Sequence, residues 1–124
     1  MQVLLDTHLL LWALSTPRKL STRARQLIEK SDVYVSAASI WEISIKAALG
    51  KLAVKSSEVL AGVEPAGFTL LPVTGEHAAH VASLPMHHRD PFDRLLVAQA
   101  QAEPLRLLSN DELLRAYGDF VIIV

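Results

Sequence analysis

The sequence contains no cysteine, which excludes disulfides and thiolate metal sites as sources of stability or chemistry. It also lacks a long hydrophobic run. Stretches such as "HLLLWAL" stop far short of the roughly 18–20 residues that span a bilayer, so no membrane association is expected. No basic leader precedes the first apolar run, and Asp6 interrupts it. A secretory signal is therefore not expected, and a cytoplasmic protein is. Charge of one sign is not in excess either, since the formal net charge of −1 argues against a protein that coats nucleic acid by electrostatics alone. Among five glycines none belongs to a phosphate-cradling loop: "GKLAVKSS" lacks the upstream glycine of a nucleotide-binding module. Internal repeats, low-complexity tracts and linkers are missing too.

What is present fits one compact domain over residues 1–124, because domains commonly hold roughly 100–150 residues. A hydrophobic fraction of 51% supplies a core of ordinary or slightly generous size. The charges are unevenly sorted. Residues 1–62 carry a net +3 and residues 63–124 a net −4, which suits a phosphate ligand approaching carboxylates, although solvated helix faces give the same pattern.

The chain reads as strands alternating with helices. "QVLLD", "VYVS", "FTLLPV", "LRLLS" and "DFVIIV" are short apolar or β-branched runs. Between them lie helical patterns: "THLLLWAL", "STRARQLIEKS", "AASIWEISIKAAL" capped by Ser36 and ended by Gly50, and a weaker "SSEVLAGV". Further along come "GEHAAHVASL" opened by Thr74, "DPFDRLLVAQAQAE" with Asp90 at the N-cap and Pro91 at the first helical position, and a short "DELLRAY". "MHHR" reads as a loop. Strands apolar on both faces predict a parallel sheet covered by helices on both sides, an α/β fold of three α/β/α layers with about four to five strands. Ligands of such folds sit outside the carboxyl ends of the strands.

That edge collects acids. Asp6 ends the first strand, Asp111 follows "LRLLS", and Asp93 lies in the first turn of the helix before it, while Glu42 sits mid-helix and leans over the edge from further away. Each also has a plainer reading. Carboxylates start helices by accepting backbone N–H groups: Asp90 and Asp93 fit the N-cap and N3 positions, Ser109 and Glu112 fit a capping box around Asp111, and Glu42 fits an i,i+4 pair with Lys46 on a solvated face. Taken together, carboxylates converging on one edge repel one another, and a hard divalent cation that prefers oxygen is their natural counter-charge. A cation held there would activate a bound water.

The succession "LLDTHLLLW", "SIWEISIK", "HHRDPFDRLLVAQA" and "LLSND" resembles the PIN-domain ribonucleases, specifically the VapC-type toxins of bacterial toxin–antitoxin modules, and covers nearly the whole chain in order. The resemblance maps the family's acids onto Asp6, Glu42, Asp93 and Asp111, with Asp90 an additional neighbour and Ser109 in the place of a threonine or serine two residues before the last aspartate. No family acid is missing. It implies a Mg²⁺- or Mn²⁺-dependent endoribonuclease acting on RNA, a homodimer, and inhibition by a separately encoded antitoxin. Thr7, beside Asp6, is expected either to bond a metal ligand or phosphate or to cap its own helix.

Other readings fit less well. His77 and His80 at i,i+3, with His87 and His88, raise zinc, but their helix is otherwise ordinary amphipathic packing. His8 is expected to pack or hydrogen-bond, and Trp12 and Trp41 to serve as core or interface aromatics or to stack on bases. A phosphoacceptor domain needs an acidic pair after the first strand, and an aspartyl-phosphate hydrolase needs an acid where His8 stands. The remaining alternative is a catalytically silent PIN-like binding or dimerisation module.

Overall fold

The computed structural model describes all residues, Met1–Val124. Five strands alternate with six α-helices: β1 (Gln2–Leu5), α1 (Thr7–Ser15), α2 (Thr22–Lys30), β2 (Asp32–Ser36), α3 (Ala37–Ala48), α4 (Ser56–Val63), β3 (Thr69–Leu71), α5 (Gly75–His80), α6 (Pro91–Ala102), β4 (Arg106–Ser109) and β5 (Val121–Ile123). The sheet order is β3-β2-β1-β4-β5, and every pairing is parallel. Parallel neighbours need crossovers, and each helical segment of the sequence supplies one.

The period-2 alternation of the strands divides the core in two. Val3, Leu5, Val33, Val35 and Leu108 pack with α1, α2 and α4, whereas Leu4 and Leu107 pack with α6 and the 84–121 segment. A sheet with two buried faces makes three layers, as the sequence predicts. Each fully buried Leu on it contributes about 1.5–3 kcal/mol of apolar transfer.

Four expectations are corrected. β3 is an edge strand with Thr69 and Leu70 exposed, so it is not apolar and buried on both faces. "GEHAAHVASL" is not one helix: α5 ends at His80 and a 3₁₀ turn, Val81–Ser83, follows. "DELLRAY" folds as a 3₁₀ helix, Glu112–Tyr117, and a further 3₁₀ turn, Pro17–Lys19, was not foreseen. Ser109 and Glu112 form no capping box, because Glu112 turns outward to Arg115 while Asp111 itself caps the 3₁₀ helix through Leu113 N–H. Gly50 ends α3 as expected, at a φ of 75° that other residues reach only with strain.

No helix is long and apolar enough to cross a membrane.

Candidate active site

All strands point their carboxyl ends the same way, so the residues just beyond them share one edge. Asp6 follows β1, Ser36 ends β2 and starts α3, and Ser109 ends β4 with Asp111 two residues on. The N-terminus of α6 brings Asp90 and Asp93 to the same edge. The electrostatic neighbours of the Asp93 carboxyl are Asp90, His88, Asp6 and Glu42, and Asp111 joins from the other side, its ligand atom within 4.8 Å of those of Asp93 and His88.

Each acid is held differently. Asp6 is 4% exposed and does two things at once: it caps α1 by accepting Leu9 N–H at 2.8 Å, and it accepts the Ser109 hydroxyl. Burial pushes its carboxyl above the ordinary value, against the lowering effect of the Ser109 and Leu9 bonds. Ser109 in turn accepts Asp111 N–H at 3.0 Å, tying the ends of β1 and β4 together.

Glu42 is also 4% exposed, which corrects the solvated-face reading, although the pairing with Lys46 is real. Its Oε1 accepts the Thr7 hydroxyl at 2.7 Å and its Oε2 accepts Lys46 Nζ. Thr7 Oγ1 also lies 2.9 Å from Ser39 Oγ. The cap of α1 is Asp6 and not Thr7, so the Thr7 hydroxyl serves the acid cluster. Bonding to Glu42 raises the Lys46 ammonium above its usual range, and the charges of Asp90 and Asp93 add to this.

Asp90 and Asp93 part company. Asp90 Oδ1 accepts both Phe92 N–H at 2.8 Å and Asp93 N–H at 3.1 Å, an N-cap as predicted. The Asp93 carboxylate caps nothing. Burial first, then the negative charge of Asp90, push it up to about 7, and Asp6 and Glu42 add to the effect. Asp111 sits at the rim, where burial works upward but the His88 hydrogen bond, Leu113 N–H and nearby imidazoles hold it below its usual value.

One contributor escaped the sequence reading: His88 places Nε2 at 2.8 Å from Asp111 Oδ2 and 3.4 Å from Asp93 Oδ2, while Lys46, paired with Glu42 as expected, stands among the acids. The signal was available: His88 is two residues before the α6 cap. The four other histidines go elsewhere. His77 bonds Glu103 at 2.7 Å, His80 bonds Gln101 at 2.7 Å, His87 meets the edge of the Tyr117 ring, and exposed His8 stacks on Trp12. His77, His80, His87 and His88, the four rings that raised zinc, thus face Glu103, Gln101, Tyr117 and Asp111 respectively and do not converge. Trp12 packs against the core, whereas Trp41 is 60% exposed and edge-on to Phe92 at 5.2 Å.

The site's side chains are carboxylates and hydroxyls with one ammonium and one imidazole among them, an oxygen-rich set suited to a hard divalent cation.

Comparison with known proteins agrees with this fold. The family model described as "PIN domain" matches residues 3–119. Ribonuclease VapC22 of Mycobacterium tuberculosis (strain ATCC 25618 / H37Rv) is 32% identical over 119 residues, covering 93% of this chain and 91% of the relative. Among solved structures, VapBC2 from Rickettsia felis bound to a promoter DNA fragment superposes with a TM-score of 0.69 at 14% identity, covering 100% of this chain and 98% of that one. FitAcB from Neisseria gonorrhoeae gives 0.66 at 22% identity over 98% and 96% of the two chains, and VapBC-5, of a toxin–antitoxin family from Mycobacterium tuberculosis, gives 0.63 at 20% identity over 99% and 97%. The chain belongs to the PIN domain family, on its branch of VapC toxin–antitoxin ribonucleases.

Proposed function

We propose that this protein is a divalent-metal-dependent endoribonuclease, the toxin of a toxin–antitoxin pair, with Asp6, Glu42, Asp93 and Asp111 holding Mg²⁺ or Mn²⁺. The observation that carries the reading is Asp93. A carboxylate that caps no helix, is pushed up to about 7 and is crowded by three other acids costs stability, and a cation at this edge removes the cost. When bound, the cation supplies positive charge to the scissile phosphate and acidity to the attacking water.

The chain's own residues do the rest. Ser109 and Leu9 N–H fix the Asp6 carboxylate, Thr7 fixes Glu42, and Asp90 holds the first turn of α6 so that Asp93 faces inward. These bonds set the oxygens in place before the ligand arrives, so little reorganisation is required at the moment of reaction. Lys46 sits on Glu42 in the free protein and, freed from it, faces an incoming phosphate. In-line hydrolysis leaves a 5′-phosphate and a 3′-hydroxyl and requires no 2′-hydroxyl in the attack.

The substrate is RNA, the protein acts in the cytoplasm as a homodimer, and a cognate antitoxin holds it inactive. Support for the partner comes from the relatives solved as VapBC complexes. The test is cleavage of a labelled RNA with Mg²⁺ or Mn²⁺, with and without chelator, and with end-group analysis of the products. Metal-dependent cleavage with 5′-phosphate ends is expected. Binding of RNA or self-association with no cleavage under any metal would instead leave a silent PIN-like module.

A further inference from the structure

His88 is the one imidazole hydrogen-bonded to the acids of the cleft. It lies on the loop between the Val81–Ser83 turn and α6. Its Nδ1 accepts Asp90 backbone N–H at 3.0 Å. A ring nitrogen that accepts an N–H bears no proton, so the ring proton is on Nε2. Nε2 is therefore a donor, 2.8 Å from Asp111 Oδ2 and 3.4 Å from Asp93 Oδ2.

The backbone of the same residue is anchored from behind. His88 N–H donates to the Tyr117 hydroxyl oxygen at 3.1 Å, and that oxygen also accepts from the Arg94 guanidinium at 3.1 Å. Arg94 is buried and has no carboxylate partner. Its remaining bonds go to the carbonyls of Pro85 at 3.0 Å and Val81 at 3.2 Å, both on the segment that carries His88. A buried cation satisfied only by neutral oxygens is costly, and its bonds here all converge on one loop.

The ligand atoms of His88, Asp93 and Asp111 lie within 4.8 Å of one another, a spacing that by itself would suit a cation with imidazole as a third ligand. The Asp90 N–H argues otherwise. Ligation through Nε2 needs its lone pair, so the ring proton would move to Nδ1 and point at the Asp90 N–H, exchanging a hydrogen bond for a clash of two donors.

We propose that His88 is a positioning residue and not a metal ligand: held by Arg94 and Tyr117, its Nε2–H sets the separation of the Asp93 and Asp111 carboxylates for a divalent cation. The inference rests on the metal-site reading above and concerns which groups ligate and which only orient.

The test uses the whole protein and Mn²⁺ alone, without RNA. Electron spin-echo measurements on the wild-type Mn²⁺ complex should lack the ¹⁴N coupling of a coordinated imidazole. In calorimetric titration, His88→Ala should weaken Mn²⁺ binding by roughly 10–100-fold, the size of effect seen when groups behind a metal ligand are removed. His88→Gln, whose amide donates from about the place of Nε2, should recover most of that loss. Imidazole coupling in the wild type, or a Gln variant as weak as the Ala variant, overturns the positioning role while leaving the metal site standing. No Mn²⁺ binding by the wild type overturns both. Should His88→Ala fail to fold, the wild-type spectrum and the Gln titration still decide.

Discussion

Two clusters of buried polar side chains flank the carboxyl end of β2, and they are built on opposite plans. Around Gln99 every donor has an acceptor: Gln99 accepts the Ser36 hydroxyl and donates to Pro72 carbonyl and His77 Nδ1, while His77 also accepts Thr74 N–H and bonds Glu103. No buried side-chain nitrogen or oxygen is left without a partner. Around Asp93, acids outnumber cations and the surplus is negative. A matched network holds α5 and α6 onto the sheet. An unmatched one lowers stability until something positive joins it, and such a deficit is commonly retained where activity needs it.

The largest test of that contrast is Asp93→Asn. It keeps the shape and removes the charge, so single-turnover cleavage should fall by on the order of 100-fold or more, as expected when a ligand and not only its support is lost. Stability should move the other way. The folded carboxyl at about 7 lies above its unfolded value of 3.8, so the unfolded chain binds fewer protons in between and stability falls as pH rises from about 4 to about 7. Three units correspond to at most about 4 kcal/mol, and the 22% exposure of the side chain brings a realistic figure to roughly 1–3 kcal/mol. Metal-free melts of wild type and variant should thus nearly coincide at pH 4 and separate at pH 8, with the variant higher. Saturating Mg²⁺ should close the gap. Coincident melting curves at all pH values would remove the surplus-charge account.

The mirror experiment is Gln99→Ala in the matched network. It strands the hydroxyl proton of the fully buried Ser36, at about 1–3 kcal/mol when unpaired, and also removes the bond to the carbonyl of exposed Pro72. Chemical denaturation should show the loss, while RNA cleavage by the remaining folded fraction should persist. A Gln99 variant that loses activity but not stability would make the two clusters one functional unit.

These contrasts also mark what the sequence could convey. The strand and helix order was legible because apolar periodicity and caps such as Ser36, Asp90 and Pro91 are local properties. The convergence of Asp6, Glu42, Asp93 and Asp111 was legible because parallel topology sends every strand end to one edge. The edge exposure of β3 was not, since burial of a strand depends on which neighbours it finds. Nor was the role of His88, whose ring is fixed by a backbone N–H of Asp90 and, through its own backbone, by Tyr117, 29 positions away. Glu42 and Lys46 showed their pairing in the sequence but not its depth, because Thr7 closes over Glu42 from another helix.

A smaller effect is expected from Lys46→Ala. The pair it breaks is partly exposed, so its loss should change stability by only about 0.2–1 kcal/mol. Removing the one ammonium makes the site more negative and frees Glu42 Oε2, so Mn²⁺ should bind about 1.4–5-fold tighter by calorimetry, the same energy expressed as affinity. RNA binding should weaken and lose part of its salt dependence. Weaker metal binding would make Lys46 a support for Glu42 and not a competitor of the cation.

The smallest effect belongs to Asp90→Asn, three residues from the substitution with the largest. Asparagine is as good an N-cap as aspartate, so the bonds to Phe92 and Asp93 N–H survive and the melting temperature should hold or rise slightly. What disappears is a negative charge whose repulsion is the second-largest cause of the raised Asp93 carboxyl. The pH at which stability drops should therefore move below about 7 in the metal-free variant, followed by the same melts used for Asp93→Asn. Cleavage should fall by no more than roughly tenfold, because one Asp90 oxygen is committed to the helix N–H groups and, on the proposed assignment, Asp93 and not Asp90 holds the ion. Asp90→Ala separates charge from cap: it shares the lower Asp93 midpoint but also loses about 0.5–2 kcal/mol at every pH. If Asp90→Asn instead abolishes cleavage as Asp93→Asn does, both carboxylates hold the ion and the division of labour along the first turn of α6 is wrong.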